Sequence, residues 1–261
     1  MRYARLYLYF LRFSFSRAME FRLDFCFRIG MDMLWYAQQF ALFYVLYEHT
    51  PLLGGWSIDQ AVIFVASMTL IDALHMTIFA NNLWWLPQLI NRGDLDYFLC
   101  RPVSSLFFVS VRDFAANSFV NLLMAIGLFG WALARYPVPL MPLEVLGLVA
   151  ALAVGLFVNY ALHVCFTIPV FWFHSAEGPR QVYFSMHETM HKPHAIFRGW
   201  VRRTLTTVLP FALVVSYPVS LLFEGFAARA VLHLLAVAAG LGVFLRWFWS
   251  RGLRAYASAS S

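Results

Sequence analysis

Apolar runs of about 20 residues, the length that crosses a hydrocarbon core of roughly 30 Å, recur along nearly the whole chain. Six spans are read, at 29–47, 61–83, 106–133, 143–173, 204–223 and 229–250. Short Pro- and Gly-bearing segments separate some of them: 48–60 with Pro51, Gly54 and Gly55, then 134–142 with Pro137, Pro139 and Pro142, then 224–228. Two connections, 84–105 and 174–203, are longer and more charged. Residues 1–28 follow a helical period instead. Arg2, Arg5, Arg12, Arg17, Glu20, Asp24 and Arg28 share one half of the wheel, and Tyr7, Leu11, Phe15, Ala18 and Phe25 the other. Arg22 is the exception. That pattern predicts an amphipathic helix lying in the membrane interface, arginines toward the headgroups.

The residues between spans give the chain a direction. Seventeen of the nineteen Lys and Arg residues fall before the first span, in 84–105 and its flank, in 174–203, and in the C-terminal tail. The positive-inside rule then places both termini and the two longer loops in the cytoplasm. The expected fold is an all-α integral membrane protein of six transmembrane helices over 29–261, preceded by the interfacial helix over 1–28. At 62% hydrophobic and 12% charged residues there is no room for a separate soluble domain. The formal charge of +6 is accounted for by orientation, so no nucleic acid is expected as a partner. Cys26, Cys100 and Cys165 form no CxxC pair and imply neither a disulfide framework nor a thiolate metal site. No short apolar core with a small-residue cleavage site opens the chain, so no removable signal peptide is expected. Eighteen Arg against one Lys suggests a GC-rich bacterial genome.

Three groups of residues could carry chemistry. His187-Glu188-Thr189-Met190-His191 spaces two imidazoles four apart around a carboxylate, the pattern of a zinc protease, with His194 as a third ligand. Pro193 disfavours a helix through that string, and a catalytic zinc is the minor reading; a solvated His-rich cytoplasmic loop, or incidental metal affinity, is the expected one. Asp32, Asp72, His75, Asn159, His163 and His233 lie within spans, where ionisable groups are costly. Asp72 and His75 share one helix face, Asn159 and His163 another, so these four either line a substrate path or tie helices together. The single lysine, Lys192, precedes Pro193, which excludes a GxxxxGK[ST] phosphate loop anywhere in the chain. Any ATP must be bound by another polypeptide.

The third group is the charged turn Asn91-Arg92-Gly93-Asp94-Leu95-Asp96-Tyr97-Phe98-Leu99-Cys100-Arg101-Pro102-Val103-Ser104. It resembles the cytoplasmic loop of a bacterial branch of the ABC-2 family of ABC transporter permeases. Thr207-Val208-Leu209-Pro210-Phe211-Ala212, continuing to Ser216-Tyr217-Pro218, is similar to the fifth-span motif of the same branch. The resemblance implies a transport subunit, an exporter, that is not itself an enzyme. It would dimerise with itself or with a related permease in the bacterial cytoplasmic membrane and pair with an ATP-binding subunit. That subunit would hold the ATP and Mg, with no cofactor on this chain. Loop 84–105 would be the coupling element, through Arg92, Gly93, Asp94, Leu95, Asp96, Leu99, Arg101 and Pro102. Gly93 would permit the turn, Asp94 and Asp96 would cap the next short helix, and Arg101 would pair with carboxylates. The competing functions are an intramembrane zinc metalloprotease and a non-catalytic membrane scaffold.

Overall fold

The computed structural model describes residue 9 and residues 22–115, 118–175 and 177–259. Most of the interfacial helix expected over 1–28 therefore lies outside the described residues. The described chain is helical, with one isolated antiparallel bridge, between Leu53 and Trp56. Helix α1 is Arg22–His49. Helix α2, Ile58–Arg92, is 35 residues long, or about 52 Å at 1.5 Å per residue. Ser57 caps it reciprocally with Gln60. The bridge between α1 and α2 is a tight reversal. Leu53 and Trp56 exchange backbone hydrogen bonds of 3.1 and 3.2 Å, and Gly54 and Gly55 both take positive φ, as a two-residue hairpin turn demands. These landmarks define the two ends of the bundle: the Trp56 end, and the Gly93 end where α2 finishes.

Helices α3, Asp96–Leu99, and α4, Ser105–Val111, follow at the Gly93 end. Helix α5, Ser118–Ala134, then runs back along α2. The third expected span, 106–133, is thus two helices, the first ending at Val111 and the second starting at Ser118. The break is held by α2: Asn82 donates to the Asp113 carbonyl at 2.7 Å and accepts the Asp113 N–H at 2.9 Å. Asn81 donates to the Asp113 carboxylate at 3.0 Å. Asp32 in α1 accepts a 2.7 Å bond from Asn121 in α5. Helix α6, Pro142–Phe173, is interrupted at Ile168-Pro169 and resumes for one turn. It stops at His174, whose φ of 55° closes the end in the left-handed conformation. Helices α2, α6 and α10, Ala228–Ala259, are long and apolar enough to cross a membrane.

The region between α6 and α10 departs from the sequence expectation. Segment 174–203 was expected as a cytoplasmic loop, yet its first two thirds lie along the full length of α2. Asn91 donates to the His174 carbonyl at 2.8 Å. The Arg180 guanidinium sits 5.5 Å from the Trp84 ring. Further along, His187 and His191 face Asp72. The His194 ring is 6.5 Å from that of Trp56, and a Cβ on Gly54 would lie 3.2 Å from Ile196. Helix α7, Glu177–His187, followed by one 3₁₀ turn at Glu188–His191 and another at His194–Ile196, therefore passes from the Gly93 end to the Trp56 end.

The fifth expected span, 204–223, is correspondingly not a single crossing: Pro210 and Pro218 are compatible in the sequence with either a static kink or a short re-entrant element, and the chain takes the second form. Helix α8, Gly199–Thr207, enters from the Trp56 end, where the Thr206 carbonyl meets His233 at 3.0 Å. Pro210 stops it, a short 3₁₀ turn at Phe211–Leu213 reverses the chain, and α9, Ser216–Glu224, returns. Phe223 then packs against Trp56 and Tyr136 at the starting end. The tip reaches Gly155, thirteen residues into α6, or about 20 Å deep. A Cβ on Gly155 would overlap the Val214 carbonyl oxygen and come within 3.1 Å of the Leu213 oxygen. Only glycine lets the tip backbone pass so close. Arg198, Arg202 and Arg203 follow the crossing, so they lie at the Trp56 end instead of with the Gly93 loop.

Candidate functional site

Two places concentrate polar chemistry. The first is the turn after α2. Gly93 ends α2 with φ 81°, and its N–H returns to the Ile90 carbonyl. The turn is anchored from below. Leu95 and Phe98 are buried in a cluster with Phe171 of α6 and Trp249 and Tyr256 of α10. The Tyr256 hydroxyl donates to the Gly93 carbonyl at 2.8 Å. With the apolar residues inward, the charges point out: Arg92, Asp94, Asp96, Arg101 and Pro102 are all exposed. Tyr97 is 61% exposed, and the Arg101 guanidinium lies 4.6 Å over its ring while donating to its hydroxyl.

One detail corrects the sequence expectation. Neither Asp94 nor Asp96 caps α3; the cap position is Leu95, with no side-chain hydrogen bond, and Asp96 is the first helical residue. The carboxylates are therefore free of that duty at the helix start. Leu99, read as part of the motif, is exposed as well. What results is a small charged knuckle fastened to α6 and α10 by its apolar side.

The second place is the middle of the bundle. Asp72 and His75 from α2, Asn159 and His163 from α6, and His187 and His191 from the polar crossing converge there. His75 and His163 share a 3.0 Å hydrogen bond, one ring N–H donating to the other ring's bare nitrogen. The Tyr183 hydroxyl donates to Asn159 at 3.0 Å, and its ring stacks on His163 at 4.3 Å. His75, Asn159 and His163 are all buried within one chain. In this arrangement they hold α2, α6 and α7 together; they do not face outward toward a second copy.

His187 Nε2 lies 3.7 Å from one Asp72 oxygen, and His191 Nε2 lies 3.6 Å from the other. The three ligand atoms lie within 4.8 Å of one another. This revises the metal reading in two respects. The His187–His191 pair is inside the bundle, not in a solvated loop, and its third neighbour is Asp72 instead of His194. His194 is placed elsewhere: its backbone N–H and its ring both meet the Ser216 hydroxyl, at 2.6 and 2.7 Å. Glu188, the general base a protease needs, is exposed and outside the group.

Sequence reasoning missed Tyr183, Trp35 and Ser216. Tyr183 bonds Asn159, the Trp35 ring meets the His191 ring edge-on at 5.7 Å, and Ser216 fixes His194 to the hairpin. For Ser216 a signal was present, since it opens the Ser-Tyr-Pro motif. Pro218 falls in the first turn of α9, where its missing N–H leaves no intrahelical bond unmade. Tyr217 donates to the Ala230 carbonyl at 3.3 Å. The motif thus starts the returning arm and ties it to both neighbours.

A family model described as ABC-2 family transporter protein matches residues 33–260. No curated protein and no solved structure matches the chain.

Proposed function

The chain belongs to the ABC-2 transporter family, and from that premise we propose that it is the membrane-spanning permease subunit of an ATP-driven exporter in a bacterial cytoplasmic membrane. Energy comes from a separate ATP-binding subunit that holds ATP and Mg. The observation that carries the reading is the turn at 91–102: four charged side chains exposed on a knuckle whose apolar side is buried against α6 and α10. Exposed charges on a rigid support suit recognition of a soluble protein, because they steer encounter and fix register.

The mechanical consequence follows from the anchoring. A push on the knuckle is delivered to α2 through the continuous backbone at Gly93. It also reaches α10 through the Tyr256–Gly93 bond and α6 through Phe171. Substrate would pass between this subunit and a second copy or a related permease, with the Gly93 end cytoplasmic and the polar core tying each subunit together. The protease alternative lacks its base, since Glu188 stands apart from the His187–His191 group.

Co-expression with ATP-binding ABC subunits from the same genome tests the proposal. A stable complex is expected, and Asp94→Lys or Arg101→Glu should lower both association and ATP hydrolysis. Cys100→Ala, at an exposed position outside the coupling residues, should change little. Failure of any ATP-binding protein to associate, under conditions where the permease remains folded, would overturn the reading.

A further inference from the structure

We propose that Asp72, His187 and His191 bind one divalent transition-metal ion of the zinc class, clasping the polar crossing to α2. The donor set is two imidazoles and one carboxylate, which suits zinc, cobalt or nickel better than magnesium or calcium. The distances are close to closure. Metal–ligand bonds of about 2.0–2.2 Å at tetrahedral angles put ligand atoms about 3.3–3.6 Å apart, and the two nitrogens already stand 3.7 and 3.6 Å from the carboxylate oxygens facing them.

A second observation points the same way. His191 Nε2 is buried and makes no hydrogen bond, although it is aimed at Asp72. Buried ring nitrogens ordinarily find a partner. At 3.6 Å the carboxylate is too far for a hydrogen bond but well placed to share an ion. The side chains of Asp72, His187 and His191 retain 15, 18 and 15% exposure, so the group is not fully sealed within the chain. The rings are also held. Trp35 meets His191 edge-on, Tyr183 packs 5.4 Å from His187, and the two imidazoles stand nearly perpendicular at 85°.

The ligands come from two elements far apart in sequence, so the site exists only while segment 177–191 lies along α2. Binding an ion would therefore favour that arrangement over any in which the crossing moves away. Three protein ligands leave a fourth position for water or another small donor. With Glu188 outside the group, the site binds without the base that metal-assisted hydrolysis needs. The inference is independent of the transport reading, because metal uptake is measured on the chain alone.

The test uses the full chain purified in detergent, stripped with a chelator and titrated with zinc chloride. One ion per chain is expected. Asp72→Asn, His187→Ala and His191→Ala should each weaken binding by at least the roughly 10–100-fold that losing even an outer-shell partner costs. Glu188→Gln and His49→Ala should bind as the unaltered chain does. Cobalt supplies a readout separate from stability. The unaltered chain should develop the visible absorption of a tetrahedral cobalt site, and His191→Cys should retain binding with an added thiolate-to-cobalt band in the near ultraviolet. No zinc uptake by the unaltered chain, uptake unchanged in all three ligand variants, or a cobalt spectrum unaffected by His191→Cys would each overturn the proposal.

Discussion

Segments 177–196 and 204–223 are neighbours in sequence and opposites in character. The first carries three histidines, two glutamates, an arginine and the only lysine, and it runs the length of α2. The second is almost wholly apolar, and it turns back near Gly155. Hydropathy picks the second as the segment that runs through the bundle, whereas the first is the one that passes from the Gly93 end to the Trp56 end. The difference teaches that apolar length is a statement about solvent, whereas a segment inside a bundle answers to its neighbours. Polar side chains are tolerated at depth when others engage them, as Asn159 engages Tyr183 and Asp72 faces His187 and His191. Conversely, the buried tip at Phe211–Val215 needs apolar side chains to fill the core even though it never reaches the far end.

The comparison can be broken most decisively by accessibility. In a background with Cys26, Cys100 and Cys165 replaced by serine, Ser175→Cys and Ile196→Cys should react with an impermeant maleimide from opposite sides of the membrane. Both reacting from one side would return 174–203 to the status of a loop.

The next test concerns the hairpin. Gly155→Val places a side chain against the Val214 carbonyl, where backbone, not a flexible side chain, must give way. Overpacking of this kind costs about 1–3 kcal/mol, and more where nothing can move. A clear fall in the unfolding temperature of the purified protein is expected; an unchanged temperature would mean that the tip lies elsewhere.

A smaller effect should come from the polar crossing. Tyr183→Phe removes the hydroxyl that serves Asn159, whose amide nitrogen already lacks a hydrogen-bond partner. Leaving a buried group unsatisfied costs about 1–3 kcal/mol. The double variant Tyr183→Phe/Asn159→Leu should recover part of the loss, since no orphaned amide remains. Additive losses would show that the two side chains do not interact.

The smallest change is Tyr256→Phe. It leaves the aromatic contact with Phe171 and deletes one hydrogen bond to the Gly93 carbonyl, worth about 0.5–1.5 kcal/mol. Stability should barely move, while ATP hydrolysis by an associated subunit should become less responsive to the permease. Full retention of that response would remove α10 from the path by which the knuckle acts.

Much of this is legible in the sequence. The apolar runs at 61–83, 143–173 and 229–250 correspond to α2, α6 and α10, because long unbroken hydrophobicity leaves few alternatives. The pairs Asp72–His75 and Asn159–His163 follow from helical spacing alone. Their meeting with His187 and His191 does not, because it depends on which segment fills the space beside α2. The end of α4 at Val111 was hidden for a related reason. Asn81 and Asn82 sit in a run that reads as apolar, and their bonds to Asp113 involve another helix. At 91–102 the pattern of residues marked the turn, but not that Leu95 and Phe98 would be its roots.

One further property belongs to α2 itself. Between His75 and Asn82 it opens into a single wide turn, Met76–Ala80, of the π type. Such a turn accommodates one additional residue in an otherwise regular helix, and one residue is about 100° of rotation. The half bearing Asp72 and the half bearing Asn82 are thus out of phase by about that angle. Squeezing out the extra residue would act like a quarter-turn of a screw, swinging Asn82 off Asp113 while Asp72 stayed facing the histidines.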